Sequence, residues 1–418
     1  MTSDTAKPST FWLFWAAGAA GTTGGGITAV ALPLLAITVL NASNFEAGLL
    51  TAAGYAAVVL VGLPAGVLVQ HFPLRGLQVT MDVLRAAAVL TIPLAAWWDA
   101  LTLAQVLLVA FFVGLASSLF DVANVTYLPQ IVPPSQLIAR NGLISGTDAA
   151  TGLLGPSLGG LLVQALGAAA SVLANAATYL VSAVLLSRLP VTPKQDVPSD
   201  EPGFFPQIWT GLRFVFDHPV IRPAVIAASA VNFANGAIAA VTAPFLVRSL
   251  DLPVGAVGAM LALDGLGSII GAALAARLVR RYGDARAMIA GALTGAVVAL
   301  AMPLAYAAVA PLLFGLGLCV FGGGVAILSV VARTHRQTVS PPELLSRVMA
   351  SVRFVSWSAI PIGALAAGAL AQLIAPRAGL ALACAAALLA PAVLWSSRIR
   401  RLHNLTDAES GPVVPAGT

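Results

Sequence analysis

Four ionisable side chains stand inside stretches that are otherwise almost free of charge: Asp121, Asp148, Asp264 and Arg353. A charge near the middle of a bilayer costs roughly 2.5–3.5 kcal/mol on insertion scales, so each needs a partner, water or, for a carboxylate, a proton. A carboxylate that a proton can neutralise is able to tie proton movement to a change of shape. Arg353 cannot shed its proton in this way, so it should find Asp148, Asp264 or a cavity water. A pair or triad of this kind would rearrange when an Asp is protonated and shift a two-state equilibrium; the same three groups could instead form a fixed brace. Asp121 lies near the end of its apolar stretch, where a cap or interface role reads as well as proton carriage.

Other chemistries lack their residues. Cys319 and Cys384 stand in apolar stretches without metal-ligand spacing, and packing is their expected role. His71, His218, His335 and His403 are scattered too widely to make a metal cluster. No GxxxxGK[ST] loop is present, which excludes direct use of ATP. With no nucleophile set, metal set or phosphate loop, an enzyme is not expected. No cofactor is expected either, and a proton gradient is left as the energy source.

The elements that position these charges follow from composition. Of 418 residues, 59% are hydrophobic and 9% charged, and mean hydropathy is +0.94; soluble domains carry roughly a quarter charged residues. A bilayer core of ~30 Å takes about 20 apolar residues per helix. Twelve such spans can be marked: Phe11 to Leu40, Ala47 to Val69, Leu77 to Trp97, Leu101 to Val125, Leu137 to Leu166, Ala168 to Leu186, Val220 to Val247, Val254 to Leu278, Ala285 to Val309, Leu312 to Val331, Leu344 to Ile374 and Ala378 to Trp395. The first is too long for a secretory signal, and Trp12 and Trp15 suit a retained helix with an interfacial anchor. Asp148 and Asp264 then stand about eleven and ten residues into the fifth and eighth spans, ~15 Å deep. The expected fold is an all-α membrane protein of twelve helices.

Orientation follows from the basic residues. With the N-terminus in the cytoplasm, all of the 21 Lys and Arg fall on the cytoplasmic side except Arg248, Arg377 and the intramembrane Arg353, so both termini are expected there. The one long polar interval, between the sixth and seventh spans, divides the chain. It gives an N-terminal six-helix bundle (1–187), a cytoplasmic linker with a short amphipathic segment (188–219), a C-terminal bundle (220–398) and a cytoplasmic tail (399–418). The halves repeat: Pro33 and Pro244, Gly62 and Gly271, Pro93 and Pro303, and Pro134 and Pro341 all recur at an offset near 210 residues. PPSQLIAR, ending at Arg140, answers PPELLSR, ending at Arg347. Recurring Pro and Gly suggest recurring bends and close helix approaches.

Three blocks carry a family resemblance: FDVANVTYLPQIVPPSQLIARNGL from Phe120, GPSLGG from Gly155 and GLRFVFDHPVIRPAV from Gly211. The chain resembles the major facilitator superfamily, and within it the third drug:proton antiporter subfamily, which includes macrolide and siderophore exporters. That resemblance implies two pseudo-symmetric six-helix bundles rocking about a central cavity. It implies that the fifth and eighth helices face each other across the bundles, so that Asp148 and Asp264 flank one interface, where desolvation and like charge disfavour ionisation. Gly155, Pro156, Gly159 and Gly160 match the antiporter motif of the fifth helix and would bend and thin it; the glycine spacing upstream departs from that motif. In the loop between the second and third helices the superfamily has Gly, then Asp four residues on, then basic residues. Here GVLVQHFPLRG offers Gly66, Gln70 in place of the Asp, and Arg75, with Gly62 one turn earlier; Asp82 and Arg85 could form a substitute pair.

The expected function is a secondary active transporter, a proton-coupled exporter of amphiphilic drugs or secondary metabolites. A uniporter or lipid flippase of the same fold is the alternative, and a membrane receptor or scaffold a distant one. Trp357 and Phe354 could line a cavity and stack on a flat substrate or could pack against lipid or a neighbouring helix; Asn232, Asn235, Thr22 and Thr23 offer polar contacts. So few hydrogen-bonding groups suit an amphiphile better than a sugar. The expected partners are that substrate, protons and the lipid bilayer, with no nucleic acid, for a monomer in the plasma membrane.

Overall fold

Long apolar stretches satisfy their own backbone in lipid only as helices or closed barrels, and the chain takes the helical route throughout its described residues. The computed structural model describes residues 8–40, 53, 60–191, 203–250, 254–306 and 309–408. Its helices are α1 (Pro8–Thr38), α2 (Leu60–Gln70), α3 (Leu74–Trp97), α4 (Leu103–Ile131), α5 (Leu137–Leu166), α6 (Ala168–Ser187), α7 (Phe204–Asp217) and α8 (Ile221–Pro244). They continue with α9 (Val254–Tyr282), α10 (Asp284–Ala299), α11 (Ala310–Val339), α12 (Pro342–Trp357), α13 (Ala359–Leu373), α14 (Pro376–Ala387) and α15 (Leu389–Ser396). Among the described residues nine segments are long and apolar enough to cross a membrane. The other three expected spans fall on α1, α2 and α5, and part of the second span lies outside the described residues.

Two of the expected spans are interrupted. The eleventh breaks at Ser358 between α12 and α13, and the twelfth at Leu388 between α14 and α15. Both breaks have the same cause: a proline four residues after the last helical residue, Pro361 after Trp357 and Pro391 after Ala387, has no N–H to give that residue's carbonyl. The recurrence of proline does not reproduce one bend in both halves. Pro93 lies inside α3, which continues to Trp97, whereas α10 stops at Ala299 and Pro303 sits in a 3-10 turn, Met302–Leu304.

The chain divides into two compact units. The first comprises residues 1–134, 150–212 and 340–354. In it α6 packs against α1 and α3, and α3 against α4, around Leu35, Val89, Ile92, Val106 and Val172. The GPSLGG motif explains itself here. A Cβ on Gly155 would stand 2.9 Å from the Cα of Gly26, and one on Gly159 would stand 2.9 Å from the carbonyl oxygen of Ile27. Two helix backbones therefore meet where side chains are missing. A Cβ on Gly160 would meet nothing within 4 Å among the described residues, and the helix runs on through Pro156.

The second unit comprises residues 135–149, 213–339 and 355–418. There α11 packs against α9 and α10, and α8 against α13 and α14, about a core that includes Phe245, Met288, Phe314, Leu328 and Leu380.

Candidate functional site

In the first unit the expected intramembrane cation meets an acid, though one other than those first expected for it. Arg353 of α12 donates from Nη1 to Oδ2 of Asp121 on α4 at 2.7 Å. The helix α4 extends six residues beyond the apolar stretch, to Ile131, and is anchored there by the Tyr127 hydroxyl donating to the Pro190 carbonyl at 2.9 Å. Asp121 consequently stands ten residues inside its helix, ~15 Å from the end, and is not a terminal cap as its position in the sequence allowed. The Arg353 side chain is 19% exposed and that of Asp121 43%. The acid is the more exposed partner of the pair.

A second polar contact lies along the seam between α2 and α12. Gln70, where the superfamily pattern has Asp, is buried. Its Oε1 accepts from Arg347 Nε at 2.7 Å, while its Nε2 donates to the carbonyl of Glu343. An amide can do both, and a carboxylate could not. Ser346 donates to the carbonyl of Gly66 at 2.7 Å. A Cβ on Gly66 would lie 2.8 Å from the Cα of Arg347, and one on Gly62 would lie 3.3 Å from Cδ2 of Phe354. Gly62, Gly66 and Gln70, spaced one turn apart, thus make a strip on which α12 lies, backbone to backbone at Gly66. Arg75 is engaged elsewhere, donating to the carbonyl of Ser187.

Asp82 and Arg85 do form an ion pair, and it sits inside the first unit instead of beside Gln70. Asp82 is eight residues into α3, about 12 Å from its start. The Arg85 guanidinium also donates to Ser117 Oγ at 3.2 Å and lies 4.3 Å from the centre of the Phe120 ring and 4.5 Å from that of Tyr179. Both side chains are buried, at 6% exposure for Arg85 and none for Asp82. The Asp82 Oδ2 accepts no hydrogen bond among the described residues. This is a locked brace between α3, α4 and α6.

In the second unit Asp264 is half-buried on α9, against the bare backbone of Gly322 on α11. A Cβ on Gly322 would stand 2.6 Å from its Oδ1 and 2.9 Å from Ser268 Oγ. Among the described residues no cation pairs with Asp264. Asp148 is exposed on α5, and the same helix approaches α9 closely at Gly142, whose Cβ would lie 2.7 Å from the Ala272 carbonyl oxygen.

The expected substrate contacts are mixed. Asn232 Nδ2 donates to the Ser356 carbonyl at 2.9 Å, tying α8 to the end of α12. Asn235 is half-buried without a hydrogen bond of its own among the described residues. Thr22 and Thr23 turn their hydroxyls back to the helix, Thr23 to the Ala19 carbonyl at 2.7 Å and Thr22 to that of Gly18 at 3.1 Å. That leaves only their lone pairs for a ligand. Trp357 is 43% exposed, and Phe354 is half-buried facing Gly62.

Some polar groups carry no signal in residue type alone. By sequence Arg347 is one more basic anchor. Asn141, buried on α5, donates to Thr334 Oγ1 at 3.1 Å and to Gln337 Oε1 on α11; its place just inside the apolar run is the signal that could have singled it out. His218 accepts through Nδ1 from the N–H groups of Val220 at 3.2 Å and Ile221 at 3.1 Å, closing the start of α8. Burial pushes its pKa below the ordinary value, in keeping with a neutral ring as acceptor.

A multi-span helical protein with an ion pair inside its apolar helices and glycine-lined helix crossings has the form of a membrane transporter. Its family is established by comparison: the Major Facilitator Superfamily model matches residues 14–359 and 225–415, and the chain belongs to that superfamily. It is 30% identical over 331 residues to an uncharacterized MFS-type transporter, y4rN, of Sinorhizobium fredii, covering 77% of this chain and 79% of that one. It is 27% identical over 394 residues to the multidrug efflux pump Tap of Mycolicibacterium fortuitum, covering 91% and 93%. It is also 27% identical over 283 residues to the enterobactin exporter EntS of Salmonella typhi, covering 65% of each. Among solved structures, a bacterial homologue of the iron transporter ferroportin superposes with a TM-score of 0.77 at 19% identity, over 93% of this chain and 100% of that one. The fucose:proton symporter FucP of E. coli superposes at 0.75 and 15% identity, over 93% and 98%. The chain is a multi-pass membrane transporter and not an enzyme.

Proposed function

We propose that this transporter exports amphiphilic drugs or secondary metabolites in exchange for protons, by alternating access, from a plasma membrane in which both termini face the cytoplasm. The observation that carries the coupling is the Asp121–Arg353 ion pair. Protonation of Asp121 removes its ionic attraction for the guanidinium, which shifts the balance of contacts that Arg353 makes, and a helix that carries it changes its equilibrium position. Asp264, set in the membrane without a cation partner among the described residues, serves as a second proton site, and Asp148 as a third. Gln70 takes the place of an ionic latch: its two hydrogen bonds to the Glu343–Arg347 turn hold α2 on α12 without a carboxylate in the contact, and the coupling is left to the acids deeper in the membrane.

The substrate class is supported by kinship with the efflux pump Tap and the exporter EntS, and by the scarcity of free hydrogen-bonding groups among Asn232, Thr22 and Thr23. Proton coupling supplies the energy without a cofactor.

The test is energised uptake by everted membrane vesicles from an efflux-deficient host, over a panel of fluorescent amphiphiles. Uptake that collapses with a protonophore and is lost in Asp121→Asn supports the proposal. Uptake that proceeds down its own gradient and ignores the protonophore assigns the chain to uniport or lipid flipping.

A further inference from the structure

The helix α7 (Phe204–Asp217) has a third face that neither the bundle nor water accounts for. At 100° per residue its sides separate cleanly. Gln207, Gly211 and Val215 form the buried side, and at Gly211 the α7 backbone lies against Arg347, where a Cβ would stand 2.8 Å from the arginine Cβ. Thr210, Arg213 and Asp217 form a polar side, with Arg213 Nε donating to Asp217 Oδ2 at 3.1 Å and both side chains about 70% exposed. Between them runs an apolar arc: Phe205 at 79% exposure, Trp209 at 66% and Phe216 at 41%. Three large aromatic side chains on one exposed arc are a poor fit to water, each carrying on the order of 150–250 Å² of surface.

The position of the helix decides what covers that arc. Only three residues separate Asp217 from Ile221, where α8 begins, and Ile221–Thr242 is an apolar segment long enough to cross a membrane. The end of α7 is therefore fixed at the boundary where lipid headgroups begin. Tryptophan with its N–H and apolar ring is the side chain that boundary favours, and Arg222, exposed at the start of α8, stands at headgroup level. We propose that α7 is an interfacial anchor whose Phe205–Trp209–Phe216 arc is seated in the headgroup–acyl boundary of the bilayer, with lipid as its partner. The inference rests on the membrane-spanning fold and is independent of what the protein transports.

The full chain is reconstituted in phosphatidylcholine nanodiscs, and its fluorescence is compared with that of Trp209→Phe, a substitution at an exposed site. The difference between the two reports Trp209 alone. The expected result is that lipids brominated high on the acyl chain remove most of that difference signal, while iodide in the water leaves it nearly intact. A difference signal quenched by iodide and untouched by brominated lipid overturns the proposal. So does one shielded from both in a protein that elutes as a dimer, since a second copy would then be the cover.

Discussion

Removing one member of the Asp82–Arg85 pair should be far more damaging than removing both. With exposures of 0% and 6%, neither charge can be rescued by solvent where it stands. Loss of one partner of a buried pair costs about 3–5 kcal/mol, because the other charge remains buried and uncompensated. Arg85→Met leaves the carboxylate of Asp82 in place, one of its oxygens already without a hydrogen bond, and also removes the stacking of the guanidinium between Phe120 and Tyr179, worth roughly 2 kcal/mol in a dry site. Asp82→Leu leaves the guanidinium with Ser117 and the two rings. For a unit of a couple of hundred residues, 3–5 kcal/mol corresponds to a fall of about 6–20 °C in thermal midpoint. The double variant, Asp82→Leu with Arg85→Met, replaces the pair by side chains of similar length and should return close to the native midpoint or exceed it. The assay is thermal unfolding in detergent, all four proteins scanned at one rate, because such unfolding is often irreversible. Single variants that melt like the native protein, or a double variant as unstable as the two losses added together, would refute the reasoning that this pair is a brace.

Three further outcomes follow from the same geometry. Gly66→Leu should force α2 away from α12, because its side chain would start 2.8 Å from the Arg347 Cα and 3.0 Å from the Ser346 carbonyl oxygen; overpacking of this kind costs about 1–3 kcal/mol or more, read as a lowered midpoint together with lost flux, and an unchanged midpoint would count against the seam. Gln70→Leu should cost about 1.5–3 kcal/mol through the hydrogen bond lost by a charged group, Arg347, again read in the thermal midpoint. His218→Ala should cost about 0.5–2 kcal/mol as a lost helix cap. Because burial holds the His218 pKa below its ordinary value, the unfolded chain takes up the proton first. The cap's contribution is then whole above about pH 6.5 and declines as the pH falls below that. A midpoint difference between native and His218→Ala that grows on acidification would contradict this.

Much of the fold is legible in hydropathy alone. The fifth span, Leu137 to Leu166, coincides with α5, and the sixth ends within a residue of α6. The breaks at Ser358 and Leu388 were also written in the chain, in Pro361 and Pro391, but a window that averages hydropathy has no term for a missing N–H. The site was legible as residue types and not as pairs. Asp121 looks nearly terminal in the sequence because the apolar run fades at Val125, whereas α4 runs on to Ile131, with Tyr127 bonded to the Pro190 carbonyl. Its partner Arg353 lies 232 residues away, and Gln70 and Arg347 are 277 apart; no local spacing can announce such contacts. The glycines show the same division. GPSLGG marks a close crossing, while only the folded structure shows that Gly26 is what it crosses.

Proton coupling is tested most directly by following proton movement itself. Purified protein is reconstituted in liposomes with a pH-sensitive dye trapped inside, and a transported amphiphile is added outside with no pH gradient imposed. The expected result is a substrate-driven change of internal pH that is lost in Asp121→Asn and in Asp264→Asn while substrate binding remains. Substrate flux with no accompanying change in internal pH, in the native protein, would contradict it.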